Sequence, residues 1–104
     1  MRTTVTTRHC EIAEPLRQRA TLVLDRLAAL SDRATEATVV FDLEAGRHTA
    51  ELRLQAAGGQ VLVAAADGPD HRTALDRAEA KLRRQLVRQV AKPRARRHTG
   101  STPA

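Results

Sequence analysis

Arg77, Lys81, Arg84, Arg88 and Lys92 recur at intervals of three and four residues, and no Asp or Glu follows Glu79 anywhere in the chain. On a helical wheel of about 100° per residue with Leu75 at zero, these cations fall between about 180° and 260°. Ala78, Leu82, Leu86 and Val90 fall within about 60° of Leu75 on the same wheel. One side of such a helix is apolar and made to be covered, and the other is a stripe of a single sign. From Arg77 to Lys92 the stripe runs about 22 Å, long enough to meet about three to five phosphates. Like charges at i,i+4 spacing repel one another, so the arrangement points to a polyanionic partner rather than to helix stability. A basic amphipathic helix can also lie on anionic lipid, but here the apolar side is needed to cover a sheet, so no membrane partner is expected.

Other chemistry-bearing residues form no comparable pattern. His9 with Cys10, His48, His71 and His98 show neither C-x-x-C nor H-x-x-x-H spacing, so no metal site is expected. His9 and Cys10 are adjacent, and in a strand they would point to opposite faces, which suits a small buried cysteine better than an activated thiolate. Gly58-Gly59 is not followed by Lys-Ser/Thr and is no phosphate loop. Asp42, Glu44 and Glu51 read as solubilising charge on an exposed sheet face, not as a catalytic carboxylate pair. No enzyme, cofactor or small-molecule substrate is indicated.

With 104 residues and 11.4 kDa there is room for one domain around one core. The longest apolar run, Val61 to Ala66, is far short of the ~20 residues that span a bilayer, and the N-terminus has no apolar stretch of the signal-peptide kind. A soluble, cytoplasmic protein is expected, and a lone cysteine agrees with a reducing compartment. The formal charge of +6 is unevenly placed: residues 1–79 hold 10 Lys and Arg against 12 Asp and Glu, whereas residues 80–104 hold 8 basic residues and no acid. With one Phe and no Tyr or Trp, the aromatic platforms that stack single-stranded bases are missing. A nucleic-acid partner would be met through backbone and shape.

The elements that must position the stripe follow from periodicity. Arg2 to Arg8, rich in Thr around Val5, suits a strand. A helix is predicted from about Glu14 to Leu30, opened by Glu14-Pro15, with Leu16, Ala20, Val23, Leu24, Leu27 and Leu30 inward and Arg17, Arg19, Asp25 and Arg26 left to water. From Ala37 the period becomes two, with Ala37, Val39, Phe41 and Leu43 on one face. After a turn at Ala45-Gly46-Arg47, Ala50, Leu52, Leu54 and Ala56 alternate in the same way. Gly58-Gly59 turns into a fourth strand, Val61 to Ala66. Asp67-Gly68-Pro69-Asp70 then breaks the strand and caps a helix from about Asp70 to Lys92, which Pro93 is expected to end. The order is β-α-β-β-β-α: an α+β fold with a four-stranded mixed sheet and two helices on one face. Residues 1–92 should form the domain, and residues 93–104 a basic disordered tail with Arg94, Arg96 and Arg97 near its root.

Four segments carry a family resemblance: Thr-Arg-His before Glu-Ile-Ala-Glu-Pro-Leu-Arg (7–17), Gly-Arg-His-Thr-Ala-Glu (46–51), Gly-Gly-Gln-Val-Leu-Val-Ala (58–64) and Lys-Leu-Arg-Arg-Gln-Leu (81–86). In this order and spacing they resemble the ribosome hibernation-promoting factors, the ribosome-associated inhibitor group once called sigma-54 modulation proteins. The resemblance implies a fold like the double-stranded-RNA-binding domain, seated in the small ribosomal subunit where messenger and transfer RNA would sit. It implies contacts to 16S rRNA from Lys81, Arg84, Arg88 and Lys92, to which the wheel adds Arg77. Arg8 and Arg47 match the arginines of the family's two Arg-His segments. Without the extra dimerisation domain of long-type members the chain is similar to the short type, and it should be monomeric when free. The family's Asp-Met-Tyr at the start of the second helix is Asp70-His71-Arg72 here, its aromatic after Arg-His is Cys10, and its glycine before Arg-His is Thr7. The expected activity is translation inhibition and ribosome preservation under stress or in stationary phase. The rival readings are a general binder of structured RNA or DNA and a protein-interaction module acting on a transcription factor. Without stacking aromatics, affinity should favour a folded ribosomal hairpin over oligo-U in a filter-binding comparison; tighter binding to oligo-U would contradict the expectation.

Overall fold

The computed structural model describes the backbone of residues 1–99 and the side chains of residues 1–88. Its elements are β1 (Arg2–Arg8), α1 (Glu14–Ala29), β2 (Ala34–Glu44), β3 (Arg47–Ala56), β4 (Gln60–Gly68) and α2 (His71–Thr99). The sheet order is β1-β2-β3-β4, with β1 parallel to β2 and the other neighbours antiparallel. A parallel first pair needs a crossover, and α1 supplies it. The turn between β2 and β3 is Ala45-Gly46, with φ of 52° and 78°, the double positive φ that lets a two-residue connection follow the strand twist.

Alternation places Ala37, Val39 and Phe41 of β2, Ala50, Leu52 and Leu54 of β3 and Ala64 of β4 on one buried face. Val23, Leu24 and Leu27 of α1 and Leu75, Ala78, Leu82 and Leu86 of α2 cover that face, as their helical spacing predicts. The opposite sheet face has no helix, and Val61 and Val63 on it stay exposed. Cys10 is only half-buried; its thiol points at the Phe41 carbonyl, 3.6 Å away, at the margin of the core rather than within it.

Four expectations need correction. Leu30, expected to face inward, follows the last turn of α1 as its C-cap and is exposed. β2 starts three residues earlier than its alternation suggested, at Ala34. The arginines of α1 are not simply left to water. Arg17 is half-buried and reaches the Val5 carbonyl at 3.5 Å, Arg19 pairs with Asp76 at 3.0 Å, and Arg26 pairs with Glu79 at 3.1 Å. A wheel for one helix cannot show that a neighbouring helix brings carboxylates beside its polar face. Lastly, α2 passes through Pro93 and its backbone is helical to Thr99, so the helix does not end at Lys92 as expected. Proline removes one amide donor and crowds the preceding turn, but Ala and Arg on both sides favour helix strongly enough to carry it across. Residues 100–104 and the side chains of Val90, Lys92, Arg94, Arg96 and Arg97 lie outside the described residues.

The start of α2 is fastened twice. The Asp70 carboxylate accepts the Thr73 amide at 2.7 Å, as an N-cap should. His71, buried, donates from Nε2 to the Asp42 carbonyl at 2.8 Å and stands edge-on to Phe41 at 5.5 Å between ring centroids. At the position where the family resemblance places methionine, the chain thus uses an imidazole to tie helix to sheet.

Two outcomes follow. Leu82 is 1% exposed, and Leu82→Ala should cost about 2–5 kcal/mol, a large part of a stability of about 5–15 kcal/mol, seen as a sharply lower Tm. Hydrogen bonds from Thr73 hold the Asp70 carboxyl below its ordinary value. A lowered native pKa stabilises the fold above the unfolded value of about 3.9 and loses that contribution as pH falls through the native value. Asp70→Ala should therefore melt below the wild type at neutral pH, with the gap narrowing below about pH 4; a gap constant with pH would show that the charge of the cap contributes nothing.

Candidate nucleic-acid interface

Arg77, Lys81, Arg84 and Arg88 are all exposed on the side of α2 away from the core. The structure divides them. Arg77 donates to the Asp67 carbonyl at 2.9 Å, Lys81 to the Ala65 carbonyl at 2.9 Å, and Gln85, one turn further on, to the Val63 carbonyl at 3.0 Å. These are alternate residues of β4, which borders the sheet, so the three side chains form a ladder along its open edge. Arg84 and Arg88 lie outside this ladder. The side chain of Lys92 is outside the described residues.

The opposite flank of α2 is occupied differently. Asp76 pairs with Arg19 at 3.0 Å, and Glu79 accepts from both Arg26 and Arg83, each at 3.1 Å. The Glu79 side chain is only 12% exposed, so both of its arginines are drawn in over it. The carboxylates of α2 are thereby held against α1, and the solvent side of the helix keeps its positive sign.

Arg47 and Arg8 stand at one end of the sheet, where the chain enters β3 and leaves β1 and β4. Arg47 donates to one oxygen of Asp67 from Nη2 at 2.7 Å and from Nε at 3.2 Å, and this guanidinium holds the Asp67 carboxyl below its usual range. Because Asp67 also gives its carbonyl to Arg77, Arg47 and Arg77 meet around one residue. Arg8 lies on β1, at the opposite border of the sheet; it is level with Asp42, which is level with Thr49, which is level with Asp67. Three strand spacings, about 14 Å, separate it from the β4 edge. Of the seven residues expected from sequence, the six whose side chains are described are therefore not one patch: Arg77, Lys81, Arg84 and Arg47 gather around β4, Arg88 continues along the helix, and Arg8 stands apart.

Beside Arg8, His9 has φ of 58° and donates from Nδ1 to the Asp42 carboxylate at 3.0 Å. The same carboxylate accepts the Leu43 amide at 2.8 Å, and its pKa is lowered, by the His9 bond first of all. His48 stands edge-on to His71 with ring centroids 4.8 Å apart. These histidines act in packing and hydrogen bonding; among the described residues no three His, Cys, Asp or Glu side chains converge as a metal site would require. No described helix is long and apolar enough to cross a membrane.

Sequence reasoning missed Gln85, which carries no charge, and missed the pairing of Asp76 and Glu79 with α1. The signal available for Gln85 was its spacing: it continues Arg77 and Lys81 at four-residue steps.

Comparison with known proteins fits this architecture. A ribosome hibernation promoting factor of Escherichia coli K12 is 34% identical over 88 residues, 85% of this chain and 92% of the relative. One of Pseudomonas putida is 33% identical over 92 residues, 88% of this chain and 89% of the relative. A ribosomal subunit interface protein from Coxiella burnetii superimposes with a TM-score of 0.78 over 88% of this chain and 99% of its own; at 21% identity it speaks for the fold alone. The N-terminal domain of Protein Y from Thermus thermophilus gives 0.70 at 28% identity, covering 82% of this chain and 93% of that domain. The family model described as "Sigma 54 modulation protein / S30EA ribosomal protein" matches residues 3–94, nearly the whole of the β-α-β-β-β-α unit, and the chain belongs to that family.

Proposed function

We propose that the chain is a ribosome-binding hibernation factor that inhibits translation without catalysis. It acts in the cytoplasm by occupying the messenger- and transfer-RNA region of the small subunit, with the exposed side of α2 on 16S rRNA. Family membership and the names of its relatives support the ribosome as partner. The observation that carries the choice of surface is the sorting of charge on α2. Asp76 and Glu79 are paired on the flank facing α1, while Arg77, Lys81, Arg84 and Arg88 stand exposed on the other side. A phosphate approaching that side meets the cations of α2, with the nearby Asp67 carboxylate paired to Arg47, and each contact displaces counterions condensed on the RNA. Lys92 would extend the same row, Arg47 would flank it at the β4 end, and Arg8 would make a separate contact from the far border of the sheet.

The test is co-sedimentation with 70S particles in a sucrose gradient. Arg84→Glu with Arg88→Glu reverses two charges on the exposed side without touching the core, and should abolish co-sedimentation and relieve inhibition of translation in vitro. Arg17 and Arg26 would be a poor control, since both engage other groups. Arg33→Glu with Arg53→Glu makes the same charge change at exposed positions, one between α1 and β2 and one on the sheet face that no helix covers, and should weaken binding only mildly. Circular dichroism should show both variants folded. Loss of the two contacts should also lower the log-log salt dependence of binding by about two units. If the α2 pair binds as well as the control, RNA is not met by this helix, and the protein-interaction reading takes its place.

A further inference from the structure

Between α2 and the edge of β4 lies an open notch of about 290 Å³, lined by Ala66, Asp67, Arg77, Ala80, Lys81 and Arg84. It is at the lower limit of the roughly 300–1,000 Å³ typical of small-molecule sites, and its apolar lining consists of two alanines. We infer that this notch is the seat of one backbone phosphate of the bound RNA, and that Ala80 is the residue whose small size keeps it open. The inference rests on the reading of α2 as the RNA surface and narrows it to one subsite.

Three features make the notch a receptor for an oxyanion rather than a gap between charged side chains. Arg77 and Lys81 are already fastened, each by one hydrogen bond to a β4 carbonyl. A guanidinium has five donors and an ammonium three, so both keep free N–H groups after that bond. Because the strand holds these side chains in place beforehand, less rotamer freedom remains to be lost when an anion arrives. The second feature is the state of the one acid in the lining. The Asp67 carboxylate is turned to Arg47 at 2.7 Å, which offsets its charge and leaves the positive sign of the notch dominant. The third is Arg84, which also lines the notch but lies outside the carbonyl ladder and has no hydrogen-bond partner among the described residues, so its planar fork can take two oxygens of one phosphate. Ala80 is exposed within the lining. A longer side chain there would occupy the space the phosphate needs while leaving every charge in place.

The full-length chain, labelled for amide NMR, is titrated with inorganic phosphate at constant ionic strength. Saturable shifts are expected at Ala66, Asp67, Ala80 and Lys81, absent in Ala80→Leu and retained in Arg88→Gln, whose residue does not line the notch. Leucine is a good helix former at an exposed site, so Ala80→Leu should fold as the wild type does. Its affinity for 70S particles should fall about tenfold or more, the scale of losing a charge-assisted contact. Shifts that are absent, or spread evenly along α2 as far as Arg88, would overturn the subsite even if Ala80→Leu bound ribosomes poorly, because a leucine could then be obstructing RNA in general. If Ala80→Leu binds ribosomes normally while Arg84→Glu with Arg88→Glu does not, the subsite is wrong and the RNA surface stands. If neither variant loses binding, the surface itself is wrong.

Discussion

Everything distinctive about this molecule depends on how α2 is laid against β4. Four residues of helix advance about 6.0 Å, and two residues of antiparallel strand advance about 6.8 Å. The two repeats nearly coincide, and long side chains absorb the difference of under about 1 Å per step. A helix running antiparallel to the strand can therefore offer a donor to every second carbonyl, as Arg77, Lys81 and Gln85 do with Asp67, Ala65 and Val63. At the same time Leu75, Ala78, Leu82 and Leu86 pack onto the sheet interior. Apolar packing sets the height of the helix above the sheet, and the hydrogen-bonded ladder sets its lateral position.

That placement sorts charge. On the α1 side, short contacts from Arg19, Arg26 and Arg83 gather the acids of α2 into pairs. Ion pairs whose arginines remain in contact with water stabilise a fold little, about 0–1 kcal/mol. Their larger effect is on the field outside: carboxylates held against α1 are kept away from the cations that face solvent. The histidines at the end of the sheet where α2 begins belong to the same construction. His71 takes the Asp42 carbonyl and His9 the Asp42 carboxylate, so one residue of β2 secures both the first turn of α2 and the exit from β1.

The buried face was legible because strand and helix periods report it directly: Val39, Phe41, Leu52 and Leu54 alternate, and Leu24, Leu27, Leu75, Leu82 and Leu86 recur at helical intervals. The exposed cations of α2 were legible for the same reason. What the wheel cannot contain is a neighbour. It gives the angle of Lys81 about its own axis but not the strand edge standing beside it, so the division of the stripe into fastened and free cations could not be read. The pairings of Arg19 and Arg26 were hidden likewise, since they join residues more than fifty positions apart. Pro93 misled for a different reason: local propensity marks a stop, and the helix formers on either side outweighed it.

The ladder also bears on what the sheet can become. A border strand normally shows a row of bare carbonyls and amides that another extended chain can match, which is how sheets grow from one molecule into the next. Along β4 the carbonyls of Val63, Ala65 and Asp67 are already spoken for by α2. A foreign strand would have to strip off three donors in succession, two of them charged, before its own amides found an acceptor. At the far border, Arg17 reaches the Val5 carbonyl of β1 in the same manner, though at a longer 3.5 Å. Arg77 and Lys81, which face an anionic partner on one side, thus discourage polymerisation on the other, and a substitution of either that weakens the first property also removes some protection against aggregation.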